Sequence, residues 1–143
     1  MQKILYTAIF LNGESTKKIE AITGLKVNAE NIHSTLTFMP NEAVPAELLG
    51  TTVRMQVTAC GWYEEDGTKK NFGLKIAESS LPVEVAKISQ NAQKGIQHVT
   101  VQVVNGGKAV DTAKCQWSTP LNFTIEGKIG YCTIAEPSIV RFN

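Results

Sequence analysis

The chain has few of the residues that support metal binding or disulfide chemistry. It contains two histidines and three cysteines in 143 residues, and no pair of cysteines has a Cys-x-x-Cys spacing. An odd number of scattered thiols argues against both a disulfide framework and a zinc site. We therefore expect no metal and no other cofactor, and we expect the cysteines to be reduced, as in the cytoplasm. The cysteines are Cys60, Cys115 and Cys132.

The sequence also lacks an excess of charge and a long hydrophobic run. Fourteen basic residues oppose 13 acidic ones, which gives a net charge of +1. No global field therefore favours nucleic acid, a membrane surface or an acidic partner, although a local positive groove remains compatible with a nucleotide. The first apolar run has about eight residues, too few to cross a membrane. We expect one cytoplasmic domain over 1–143, with no membrane association and no obligate protein partner.

Both histidines lie in similar short stretches. Segments 32–36 and 97–101 read Ile-His-Ser-Thr-Leu and Gln-His-Val-Thr-Val, so each contains histidine, any residue, threonine and an apolar residue. Side chains two positions apart in a strand point to the same face. Each stretch is therefore expected to present an imidazole beside a hydroxyl. The four residues are His33, Thr35, His98 and Thr100.

The residues between these polar positions predict which face is buried. Leu36 and Phe38 alternate with the polar positions of the first stretch, and Val99, Val101 and Val103 alternate with those of the second. A strand with one apolar face turns that face towards the core. The histidines are then expected to point away from the core.

Paired imidazoles and hydroxyls suit the hydrolysis of a phosphodiester. Imidazole titrates near neutral pH, so one histidine can accept a proton while the other donates one. The threonine hydroxyls can donate hydrogen bonds to the phosphate oxygens. The sequence does not say which histidine is the base. For a single histidine the alternative, an ordinary structural histidine, would be the better interpretation, but both histidines of the chain share the pattern.

The remaining pattern predicts interleaved strands and short helices, which indicates an α+β fold. Segment 80–95 has the weakest pattern: Pro82 could begin a helix, and 91–95 is expected to be a loop. Segment 108–116 is expected to be a short helix or an ordered loop. The two motif strands suggest a pseudo-twofold arrangement. The predicted strands are 4–11, 32–39, 52–63, 71–76, 96–104, 122–134 and 138–142, and the predicted helices are 15–23 and 45–49.

The two motifs and the order of elements resemble the 2H phosphoesterase (LigT-like) superfamily. Gly106-Gly107-Lys108-Ala109-Val110-Asp111 is similar to the tract after the second motif in CNPase-type and tRNA-ligase-type cyclic phosphodiesterases. The short chain and Lys128-Ile129-Gly130-Tyr131 look more like small phage or bacterial members. The resemblance covers most of the chain by layout, but only about eight residues by motif.

The resemblance implies two antiparallel sheets related by pseudo-twofold symmetry, with the four motif residues lining a central groove. It implies a metal-independent phosphodiesterase that cleaves a cyclic oligonucleotide signal, as phage anti-CBASS enzymes do, or a 2′–5′ or 3′–5′ linkage. A phage-encoded member would act in the host cytoplasm. One alternative is a 2′,3′-cyclic phosphodiesterase that acts on RNA ends during repair. Another is a nucleotide-binding module without catalytic activity.

Further substrate contacts are expected from side chains near the motif strands. Tyr6, Tyr131, Trp62 and Trp117 are candidates for stacking on a base, although an ordinary core or surface role is the favoured interpretation of each. Tyr6 and Tyr131 are the better candidates, because their strands are expected to flank the motif strands. Arg54 is expected on the polar face of its strand, where it could add positive charge to the groove. Because arginine is usually exposed, a solvated surface arginine is the favoured interpretation.

Overall fold

The computed structural model describes residues 3–29, 31–134 and 139–143. The described residues form a mostly antiparallel sheet with a few short helices, which confirms the α+β class. They contain seven strands, three α-helices and two 3-10 helices. The strands are β1 (Ile4–Leu11), β2 (His33–Phe38), β3 (Thr52–Glu65), β4 (Thr68–Ile76), β5 (His98–Val103), β6 (Thr119–Thr133) and β7 (Val140–Arg141). The α-helices are α1 (Gly13–Thr23), α2 (Val83–Ile88) and α3 (Gln90–Gln93), and the 3-10 helices are Glu78–Ser80 and Ala109–Lys114.

Hydrogen bonds join all seven strands into one sheet. The order is β2-β1-β6-β3-β4-β5, with β7 beside β6, and every neighbouring pair is antiparallel. The resemblance implied two sheets, but β3 has 14 residues and β6 has 15. Because β6 pairs with both β1 and β3, these long strands carry the hydrogen bonding from one half of the molecule to the other.

The core lies on one face of this sheet, and the helices cover it. Ile19 of α1 and Val85 of α2 are buried there with apolar residues from six strands. Helix α1 begins at Gly13, two residues before the predicted start, because Asn12 acts as its N-cap and accepts a hydrogen bond from the Ser15 amide. It ends at Thr23, and the following C-cap residue, Gly24, has a φ of 73°, which suits glycine.

The alternation of β2 is interrupted after Thr35, so the prediction that Phe38 faces the core is wrong. Thr7 of β1 pairs with Thr37, but the next residue, Ala8, pairs with Thr35. Leu36 therefore has no partner on β1, as in a β-bulge, and the bulge reverses the facing of the residues beyond it. Leu36 is fully buried as predicted, whereas Phe38 is 63% exposed.

The second motif strand follows its predicted pattern more closely. Val99 and Val101 are fully buried, and Val103, at the end of β5, is half-buried. The possible helix after Pro82 is confirmed as α2, whereas the loop expected over 91–95 is partly wrong, because α3 extends to Gln93. Ser89 caps α3 by accepting a hydrogen bond from the Ala92 amide.

The chain ends differ slightly from the prediction. The predicted helix over 45–49 is a turn, and β6 begins three residues earlier than expected. Of the last predicted strand, Ser138 lies outside the described residues and Val140–Arg141 are in a strand. Within the described ranges, no helix has the length and apolar character needed to cross a membrane.

Candidate active site

The two histidines begin the two strands at the opposite ends of the sheet order. His33 is the first residue of β2 and His98 is the first residue of β5. No ladder joins β2 to β5, yet these strands approach each other, since Ser34 Oγ donates a 2.7 Å hydrogen bond to the His98 carbonyl. The side chains of His33, Thr35, His98 and Thr100 lie on the face away from the core residues Leu36, Val99 and Val101, and we call this face the motif surface.

Both imidazoles make the same hydrogen bond to their own backbone. Nδ1 of His33 lies 2.7 Å from the Asn31 carbonyl oxygen, and Nδ1 of His98 lies 2.6 Å from that of Ile96. A carbonyl oxygen can only accept, so each Nδ1 carries a hydrogen. In the neutral ring this assigns the unprotonated position to Nε2, which is then the atom that can exchange a proton. Asn31 has a φ of 50°, which asparagine tolerates.

A buried polar clasp, formed by Ser34 and Gln97, holds β2 against β5. Both side chains are fully buried. Gln97 Nε2 donates to Ser34 Oγ at 2.6 Å and to the Thr35 carbonyl at 2.8 Å. Its Oε1 accepts a 2.8 Å hydrogen bond from the Ser89 hydroxyl. The clasp replaces the missing ladder and sets the position of one histidine strand relative to the other.

The surroundings of His33 are aromatic. The Tyr6 ring is stacked on the imidazole, with centroids 4.6 Å apart and an interplanar angle of 17°. The Phe10 ring is tilted at 5.5 Å, and Phe142 packs edge-on against Phe10. Burial lowers the pKa of His33; the hydrogen bond to Asn31 opposes this effect, and the nearby His98 adds to it.

The surroundings of His98 are polar and charged. Lys75 is its direct cross-strand partner, so both side chains share the motif surface. The Lys75 ammonium is paired with Glu78 and also donates to the Gln97 carbonyl at 3.2 Å. Burial lowers the pKa of His98; the hydrogen bond to Ile96 opposes this effect, and the Lys75 charge adds to it. The neutral ring therefore predominates at neutral pH for both histidines.

The two threonines have small cross-strand neighbours. Thr35 is opposite Ala8, and Thr100 is opposite Gly73. Both threonines are half-buried, two residues beyond their histidines. The Thr100 hydroxyl oxygen lies 2.8 Å from that of Thr112, in the 3-10 helix Ala109–Lys114. Each hydroxyl thus lies on the motif surface on the same strand as its histidine.

Of the three other predicted contact residues, Tyr6 lies beside a motif histidine, and Arg54 and Tyr131 do not. Tyr6 lies against His33, but its ring face is occupied by the imidazole, and burial raises the pKa of its hydroxyl. The structure does not bring Arg54 to the histidines, because β1 and β6 separate its strand from β2 and Glu126 binds its guanidinium at 2.9 Å. The structure does not bring Tyr131 to the histidines either. Its cross-strand partner on β1 is Thr7, whereas the next residue, Gly130, pairs with Ala8 beside Thr35, so the Tyr131 side chain lies on the face away from the motif surface. The Tyr131 hydroxyl donates to the Asn143 carbonyl.

Cavities are found away from the histidines. Three cavities of about 890, 410 and 300 Å³ are lined by other residues. The 890 Å³ cavity is bounded by the end of α1, the β3–β4 hairpin and Lys114. The polar side chains of both motifs converge instead on the motif surface.

The described residues contain no group of three or more histidine, cysteine or acidic side chains that could hold a metal ion. All three cysteines are free and buried. Burial raises the pKa of the Cys60 thiol, and raises that of Cys115 to about 11. A thiol with a raised pKa is a poor nucleophile at neutral pH.

Sequence reasoning missed Gln97, Lys75 and Thr112. Gln97 offered a usable signal, because it shares the core-facing register of Val99 and Val101. Glutamine is rarely fully buried unless it is hydrogen-bonded. Lys75 and Thr112 have no such signal, since their neighbours come from other elements. No family model matches the chain, and no curated protein is significantly similar to it. The function therefore has to be argued from this geometry.

Proposed function

We propose that this protein is a metal-independent phosphodiesterase of the 2H phosphoesterase type, acting on a nucleotide phosphodiester. The observation that carries the proposal is the matched pair of histidines. Each binds its own backbone through Nδ1, which leaves two Nε2 atoms on one surface for proton transfer. A threonine lies two residues beyond each histidine on the same surface.

In the proposed reaction, water attacks the phosphorus atom while the ester bond to the leaving oxygen breaks. The Nε2 of one neutral histidine takes the proton of the water, and the protonated Nε2 of the other gives its proton to the leaving oxygen. Thr35 and Thr100 donate hydrogen bonds to the non-bridging oxygens and hold the phosphate in line with the attack. Protons exchanged with solvent restore the starting state. The order of the two histidines stays open.

The finer architecture belongs to the same proposal. We treat the sheet as two lobes, with β1, β2 and β7 in one and β4 and β5 in the other, and with the long strands β3 and β6 shared between them. In each lobe the motif strand is the outermost strand of the sheet order. The motif surface between β2 and β5 is then the central groove.

Substrate class is the next level of the proposal. We expect a cyclic oligonucleotide signal, or a 2′–5′ or 3′–5′ linkage, because an acid and a base must act on opposite sides of the phosphate. RNA with a 2′,3′-cyclic end presents the same phosphodiester group, and we place it as the alternative substrate. Such substrates occur in the cytoplasm, where free thiols such as those of this chain remain reduced.

A substrate panel tests the proposal. The protein is incubated in EDTA with cyclic mononucleotides, cyclic di- and trinucleotides, 2′–5′ and 3′–5′ dinucleotides, and RNA with a 2′,3′-cyclic end, and products are read by chromatography. We expect turnover of at least one diester that is insensitive to EDTA. Tight binding of a nucleotide without any turnover would contradict catalysis and favour a binding module.

A further inference from the structure

The 3-10 helix Ala109–Lys114 packs closely over the strand pair that carries the second motif. Thr112 of this helix is fully buried. A Cβ atom at Gly73 would lie 2.5 Å from the Thr112 methyl group, so only glycine at this position lets Thr112 approach. Gly73 is the cross-strand partner of Thr100. The close approach therefore brings a buried hydroxyl directly to the hydroxyl of the motif threonine.

The buried side chain of Asn71 fixes how Thr112 is hydrogen-bonded. Asn71 is fully buried, and its Nδ2 lies 2.8 Å from the Lys108 carbonyl and 3.0 Å from Thr112 Oγ1. The carbonyl can only accept, so the amide nitrogen must be the atom that faces it. The second N–H of the same nitrogen then points to Thr112. Thr112 Oγ1 is therefore an acceptor towards Asn71.

The single hydrogen of the Thr112 hydroxyl needs an acceptor of its own. Within the described part of the chain, Thr100 Oγ1, at 2.8 Å, is the remaining hydrogen-bond partner of this hydroxyl. If Thr100 donated instead, the Thr112 hydrogen would be buried without an acceptor, which is unfavourable. Thr112 therefore donates and Thr100 accepts.

We propose that Thr112, held by Asn71, is a positioning residue that turns the Thr100 hydroxyl hydrogen towards the motif surface. This inference rests on the proposed phosphodiesterase function. Thr100 accepts from Thr112, so its own hydrogen is free for a phosphate oxygen. Donation along Asn71, Thr112 and Thr100 also polarises the last hydroxyl and makes it a stronger donor.

The test compares kcat and KM for Thr112→Val, Thr112→Ser and Thr100→Val on whichever diester the wild-type protein cleaves. We expect Thr112→Val to lower kcat about tenfold with KM within about twofold, as for the loss of a group that acts in the transition state. Thr112→Ser keeps the hydroxyl and should restore kcat. In a Thr100→Val background, Thr112→Val should cause no further loss, because the hydroxyl that it orients is absent.

A matched control is Thr7→Val, which removes a buried hydroxyl that donates to the Thr37 carbonyl on the core side of β1. It should leave kcat within about twofold of wild type. Should Thr112→Val fail to fold, Thr112→Ala replaces it with the same expected results. Wild-type kcat in Thr112→Val, or an equal loss in the Thr100→Val background, would overturn the inference alone. A wild-type protein that cleaves no diester would overturn the proposed function, and the inference with it.

Discussion

The two motif strands build the same histidine geometry on different supports. In both, Nδ1 binds the backbone carbonyl two residues earlier. His33 is held by the aromatic rings of Tyr6 and Phe10, whereas His98 lies beside Lys75, which is paired with Glu78. One histidine is positioned by packing and the other by polar neighbours.

Because of this difference, the pKa values of His33 and His98 should respond to different kinds of substitution. An aromatic neighbour acts mainly by excluding water, so changes there should alter the desolvation of His33. A cationic neighbour acts through its charge, so changes at Lys75 should alter the electrostatic part of the His98 pKa. The clasp of Ser34 and Gln97 is where both sides are joined. Variants at these three places should therefore differ in kind and in size.

The largest effect is expected where the two sides are equal. His33→Ala and His98→Ala should each lower kcat by about 10²- to 10⁴-fold, because each removes one partner of the proton transfer. The double variant should be little worse than either single variant, since the two residues act as a unit. Steady-state kinetics measure this, with circular dichroism as the control for folding. Near-full activity of either single variant would contradict a mechanism that needs both histidines.

A smaller effect is expected from removing the clasp that holds β2 against β5. Gln97→Leu removes the hydrogen bonds to Ser34 and Thr35 and should lower the free energy of unfolding by about 2 kcal/mol. Urea denaturation measures the change. Gln102→Leu, in the adjoining strand β5, is the control, because the hydrogen bond from Gln102 to the Lys26 carbonyl is exposed. It should change stability by less than about 0.5 kcal/mol. Equal effects of the two variants would argue against the clasp.

A third comparison concerns the pH dependence of kcat/KM. Lys75→Met removes a positive charge and should raise the pKa of His98, while Tyr6→Ala admits water and should raise the pKa of His33. Each variant should therefore move one limb of the pH profile to higher pH, and the two should move different limbs. The limb that Lys75→Met moves identifies the role of His98: the acidic limb for a base, the alkaline limb for an acid.

The control for the pH comparison is Lys87→Met, because Lys87 is exposed on α2, and it should leave both limbs in place. Movement of the same limb by the Lys75 and Tyr6 variants would contradict the division between the two supports.

The smallest effect is expected on the pH dependence of stability. Both histidines have a pKa below 6.5 in the folded protein, so the unfolded chain binds protons more readily. The stability that depends on keeping the two histidines neutral is therefore fully present above their unfolded pKa of about 6.5. It is lost as the pH falls through their lower pKa values in the folded protein. The melting temperature should fall between about pH 7.5 and pH 5, and less steeply for His33→Ala or His98→Ala than for the wild-type protein. A slope unchanged in both variants would assign the effect to other groups.

The sequence predicted what depends on local pattern. Alternation in 97–101 placed His98 and Thr100 opposite Val99 and Val101 because a regular strand repeats every two residues. The same rule was wrong at Phe38, because the bulge at Leu36 is set by pairing with β1. A bulge has no signature within β2 itself.

What depends on pairing between distant segments could not be predicted. Arg54 and Tyr131 shared a plausible strand pattern, but the strand order and the facing of β6 separate them from the histidines. The clasp joins residues 63 positions apart, and Thr112 reaches Thr100 because Gly73 on a third element leaves room. These contacts follow from the closing of the sheet and not from any one stretch.

The most direct test of the account is the pH profile of kcat/KM for the wild-type protein in EDTA, on the best substrate of the panel. Two histidines that exchange opposite roles predict a bell-shaped profile with undiminished activity in the chelator, both limbs reporting the coupled pair. A profile with a single limb, or activity abolished by EDTA, would contradict a mechanism in which His33 and His98 act as acid and base.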